Sequence, residues 1–124
     1  MSEVREDAVE KAKRLGLDLI VPGPADVFVD LDSLADQLVF QQRLKLLQKL
    51  WPDASVTMSE SHTTGHAHAK VTIPELAPLS DHERIALQAA LNSDPFREML
   101  AIHHGRAGYK WTSVFFERKV TSVA

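Results

Sequence analysis

The sequence predicts a single α+β domain, with strands and helices in the order strand, helix, strand, strand, helix, strand behind a leading helix. Three observations carry that class. A chain of 124 residues is enough for one core and too short for two. Its segments change between apolar recurrence every three or four residues and strict alternation. Proline, glycine and helix-capping residues stand where the period changes.

Val4, Ala8, Ala12 and Leu15 recur at helical spacing and Gly16 follows them, which predicts a helix over 3–15. Leu17 to Val21 reads as a short edge strand, and Pro22-Gly23-Pro24 as a turn. From Asp26 to Asp32 the chain alternates, with Val27, Val29 and Leu31 on one face and Asp26, Phe28, Asp30 and Asp32 on the other. Ser33 is a good N-cap, and the helix it opens runs from Leu34 to Trp51, where Pro52 ends it. Phe40, Leu44, Leu47 and Trp51 share one face of that helix.

Ser55–Ser61 and His66–Ile73 alternate again, and the four residues between them, His62 to Gly65, suit a hairpin connection. Pro74 to Pro78 is a loop. Ser80 and Glu83 form a capping box for the next helix, which continues through Ile85 and Leu91. Ser93-Asp94-Pro95 starts a further helical piece whose apolar face would be Phe96, Met99, Leu100 and Ile102. His103 to Lys110 reads as a basic loop, Trp111 to Glu117 as the last strand, and Val120 to Ala124 as a tail.

This order is that of the ferredoxin-like split βαβ arrangement. Right-handed crossovers would set the Asp30 strand beside the His66 strand, and the Glu117 strand on the other side of the first. The helices would cover the face carrying Val27, Val29, Leu31, Ala67, Val71, Ile73, Val114 and Phe116. Phe28, Asp30, Asp32, His66, His68, Lys70, Trp111, Phe115 and Glu117 would stand together on the open face.

Composition narrows the function classes. The net charge of −3 argues against strong nonspecific binding to nucleic acid, yet Arg106, Lys110, Arg118 and Lys119 stand against only Glu117 from His103 onward, which predicts a local basic edge. Without cysteine there is no disulfide framework and no thiolate metal site. That leans toward the cytoplasm. The charged first residues are unlike a signal peptide, no apolar run approaches transmembrane length, and no membrane association is expected.

The chemistry is concentrated in Asp30-Leu31-Asp32 and His66-Ala67-His68, which offer two carboxylates and two imidazoles from regular backbone. Carboxylate oxygens suit Mg²⁺ or Mn²⁺, so Asp30 and Asp32 are the expected metal ligands. His68 and Lys70 are placed to hold phosphate oxygens, with His66 beside them. Arg106, Lys110 and Arg118 would meet a nucleic-acid backbone, and Phe28, Trp111 and Phe115 could stack on bases. Those aromatics could instead be covered by the leading helix or a second subunit, because three large rings are costly to leave wet.

These motifs resemble the first two of the archaeo-eukaryotic primase superfamily: a hydrophobic strand ending in Asp-x-Asp at Val27 to Ser33, then a Ser- and Gly-containing segment leading into a histidine strand at Ser59 to Val71. The resemblance implies metal binding by Asp30 and Asp32, and contact of His68, or else His66, with the incoming nucleotide's phosphates. It implies a third acidic ligand on a later strand, for which Glu117 is the available residue. A nucleotidyl transferase of DNA replication, or a minimal, accessory or inactive relative of the kind carried by phages, would follow.

His66-Ala67-His68 is also similar to the His-hydrophobic-His motif of rolling-circle endonucleases, whose nucleophile is a tyrosine; Tyr109 is the only one here. A third reading is a non-enzymatic interaction module that docks a protein partner or a second copy through the open face. In the plainest reading, Asp30 and Asp32 only support the following helix and the two histidines are solvated partners of Ser55 and Ser59. His62, His82, His103 and His104 read as surface residues.

Overall fold

A computed structural model describes residues 6–60, 66–108 and 114–118, with Glu6, Asp7 and 116–118 described in their backbone alone. The leading helix α1 (Glu6–Leu15) stops at Gly16, whose φ of 66° is the left-handed conformation that ends helices. It packs on β1 (Leu17–Ile20). After the Pro22–Pro24 turn come β2 (Asp26–Leu31) and α2 (Leu34–Leu50). Ser33 caps α2 by accepting from the Asp36 N–H at 3.2 Å. The hairpin strands are β3 (Ser55–Glu60) and β4 (Ala67–Thr72). A short 3₁₀ turn, Pro74–Leu76, leads to α3 (Asp81–Ala90), then α4 (Pro95–Arg106) and β5 (Phe115–Arg118).

The domain is therefore mixed α+β, with a three-stranded antiparallel sheet in the order β2-β4-β3. Alternation fixed its faces as expected. Val27, Val29, Leu31, Ala69, Val71 and Ile73 form one core with Phe40, Leu44 and Leu47 of α2. The register sets Asp30 opposite His68 and Leu31 opposite Ala67.

The last strand departs from the ferredoxin-like expectation. β5 does not join β2; it pairs with β1 in a separate two-stranded ribbon. The reason lies at the outer edge of β2, whose backbone is already satisfied. Arg84 Nε donates to the Asp26 carbonyl, Gln88 Oε1 accepts from the Phe28 N–H, and Arg97 Nη1 donates to the Phe28 carbonyl, each at 2.9 Å. Ser93 Oγ accepts from the Asp30 N–H at 3.0 Å, and the Asp94 N–H donates to the Asp30 carbonyl at 2.9 Å. Side chains of α3 and α4, with Ser93 and Asp94 between them, thus occupy the hydrogen-bonding positions a fourth strand would have used.

The expected open face is closed over Phe28 and His68. Phe115 of β5 lies parallel to Phe28 at 4.4 Å between ring centroids and to His68 at 3.7 Å. Phe28 is 0% exposed and Phe115 3%. The cover over Phe28 is the chain's own β5, rather than the leading helix or a second subunit.

α4 also differs in two ways. It continues through His103-His104-Gly105-Arg106, expected as loop, because one glycine costs a helix only about 1 kcal/mol. Its apolar face, Phe96, Met99, Leu100 and Ile102, points outward. The side turned toward β2 carries Arg97 and Glu98 instead, since the strand edge needs polar partners there. The expected residues Tyr109, Lys110 and Trp111, the hairpin connection and the tail lie outside the described residues.

Candidate metal centre

The two motifs meet rung by rung where β2 ends and β4 begins. Asp30 sits within β2, and Asp32 directly follows the strand; His68 sits within β4, and His66 directly precedes it. Antiparallel pairing with Leu31 opposite Ala67 brings the flanking residues into two Asp–His pairs. His66 Nδ1 lies 3.1 Å from Asp32 Oδ1, and His68 Nε2 lies 3.8 Å from Asp30 Oδ1.

The rungs differ in depth. Asp32 is exposed and His66 half-buried at the mouth, while His68 is buried beneath Phe115. Asp30, Asp32 and His66 each present one ligand atom, and the three atoms lie within 4.8 Å of one another. Together they could hold a metal ion. Among the described residues this is the one such group.

Asp30 tests whether a cation fits. Its Oδ1 is buried and accepts no hydrogen bond. Burial raises its pKa above the usual carboxylate range, and this outweighs the lowering by Arg97; Asp32 and Asp94 raise it further as neighbouring negative charges, against His66. A partly buried, unpartnered carboxylate oxygen among like charges is the environment a cation relieves. The residues present fit a metal ion on these grounds.

The expected ligand roles shift accordingly. The imidazole in the group is His66, whereas His68 was expected to serve the site directly. His68 backs Asp30 from the buried side. The Glu117 side chain lies outside what is described, and its backbone pairs with Asp18 of β1 rather than with β2. Lys70 is half-buried, opposite Phe28. Arg106 is exposed at the end of α4, and the Arg118 side chain is outside the described residues.

Arg97 was missed in the sequence. Its guanidinium bonds the Phe28 carbonyl, meets Glu98 Oε2 at 2.8 Å, and lies 5.1 Å from the Phe115 ring centroid. Gln88 adds a 2.6 Å bond to Glu98 Oε1, so the buried carboxylate has two partners. The only local signal was polar residues inside helices next to Ser93-Asp94-Pro95, which gives no direction toward the strand.

Compared with models of protein families, with curated proteins and with solved structures, the chain has no match in any of the three.

Proposed function

We propose that this domain binds one divalent metal ion through Asp30, Asp32 and His66 and uses it to engage the phosphates of a nucleotide or nucleic acid. The observation that carries the reading is the convergence of those three ligand atoms around an unpartnered Asp30 oxygen. Two carboxylates with one imidazole suit Mn²⁺ better than Mg²⁺, because nitrogen is a softer donor than Mg²⁺ prefers. The bound ion would neutralise charge on phosphate oxygens. Asp30 and Asp32 would supply the negative charge that holds it, and Asp32 and His66, at the mouth, would be the ligands nearest an incoming molecule.

The primase-like spacing of the motifs supports this reading over the endonuclease alternative. In the latter both imidazoles would serve one ion, whereas here each histidine faces a different aspartate. Base stacking by Phe28 and Phe115 is not part of the proposal, since both rings are buried against each other.

The test is the affinity for a nucleoside triphosphate and for single-stranded DNA, measured with Mn²⁺ and again with chelator. Wild type is expected to bind at least ~10-fold more tightly with Mn²⁺, about 1.4 kcal/mol. Asp32→Asn should lose that enhancement. No binding of either ligand by wild type in Mn²⁺ would overturn the proposal.

A further inference from the structure

We propose, resting on the nucleotide reading above, that the slot between the Phe28 and His68 rings is a nucleobase site, and that Phe115 is an internal plug which an incoming base displaces. Phe28 of β2 and His68 of β4 are diagonal neighbours on one sheet face, since Phe28 stands opposite Lys70 and His68 opposite Asp30. Both rings lie parallel to Phe115, within 6° and 3°, at centroid distances of 4.4 and 3.7 Å. Two parallel rings so close to a third cannot share one of its faces, because their own atoms would overlap. Phe115 is therefore inserted between them, in the way a base stacks on aromatic side chains.

The chemistry beside the slot suits a base better than phenylalanine. Among the described residues, Asp30 Oδ1 and Arg97 Nη2 are the buried side-chain polar atoms without a hydrogen-bond partner. The metal centre accounts for the first and leaves the second. The bonds of the Arg97 guanidinium to Phe28, Ser93 and Glu98 all run through Nη1, while its Cζ lies 5.1 Å from the Phe115 ring centroid. Nη2, one bond from that carbon, is thus beside the slot. Phenylalanine offers this cation only π-electrons, whereas a ring nitrogen or exocyclic carbonyl of a base would accept a charge-assisted hydrogen bond.

The plug is also separable. Among the described residues β5 pairs with β1 and with no strand of the three-stranded sheet. Phe115 can therefore withdraw with its ribbon while every ladder bond of β2, β4 and β3 stays in place. The slot adjoins the metal centre as well, because His68 Nε2 lies 3.8 Å from Asp30 Oδ1. A nucleotide with its base in the slot has its polyphosphate beside the ion.

Calorimetry with cytidine triphosphate and with inorganic triphosphate, both in Mn²⁺, separates the slot from the metal centre; a pyrimidine is chosen because the ring in place is six-membered. Phe115→Leu keeps most of the apolar volume and removes the stacked ring. It should bind cytidine triphosphate at least ~10-fold more tightly than wild type does, with inorganic triphosphate unchanged. In wild type, saturating cytidine triphosphate should abolish the NMR contacts between the Phe115 and His68 rings, which decides the matter even if Phe115→Leu fails to fold. Equal affinity of the two proteins for cytidine triphosphate overturns the proposal, as do ring contacts that persist at saturation. Uptake of benzene but not of cytidine by the cavity of Phe115→Ala would mark ordinary apolar core and overturn it too. Failure of inorganic triphosphate to bind wild type contradicts the metal reading instead, and release of Phe115 is then read with cytidine alone.

Discussion

Asp30 joins the fold to the proposed chemistry. Its backbone is fixed by Ser93 and Asp94, its carboxylate faces His68, and its Oδ1 has no hydrogen-bond donor. Because burial raises its pKa, the native state holds this proton at pH values where the unfolded chain has lost it. The native state then binds more protons than the unfolded one, and stability falls as pH rises from the usual carboxylate range through the raised value. With chelator present at neutral pH, Asp30→Asn should therefore melt a few degrees above wild type, with the difference vanishing in acid below that range. Equal melting curves at both pH values would show that the Asp30 charge is not strained. The Asp-x-Asp and His-x-His faces were legible from alternation alone. The depth of each rung was not, because alternation gives the face a side chain takes and not what covers it.

Among the elements, α2 and α3 follow closely from local chemistry. Ser33 and Pro52 bound α2 in the sequence, and the Ser80–Glu83 capping box is present with both bonds. Ser80→Ala should cost about 1 kcal/mol in urea unfolding by removing that cap. The polar edge of β2 belongs to no local pattern, since Gln88 and Phe28 are 60 residues apart. Gln88→Leu would leave the Phe28 N–H without its acceptor and remove one partner of Glu98, at an expected cost of about 1–3 kcal/mol. A change within a few tenths of a kcal/mol would mean that water or a rearranged α3 satisfies the edge. Helical periodicity grouped Phe96, Met99 and Leu100 on one face of α4, but it was this edge that claimed the opposite, polar face.

For the molecule as a whole, a three-stranded sheet is closed on one side by α2, along one edge by α3 and α4, and over Phe28 by Phe115. Strand membership could be read from alternation, whereas the partner of β5 depended on which edge was still free after folding. Phe115→Ala should destabilise the domain by about 3–5 kcal/mol, because it uncovers Phe28 and His68 together. The candidate metal centre sits beside this arrangement, where β2 ends and β4 begins. Calorimetric titration of the metal-free protein with Mn²⁺ tests the central claim most directly. One ion is expected per chain, with binding lost in Asp30→Ala and reduced at least ~10-fold in His66→Ala. Undetectable binding by wild type, or an unchanged isotherm in Asp30→Ala, would contradict it.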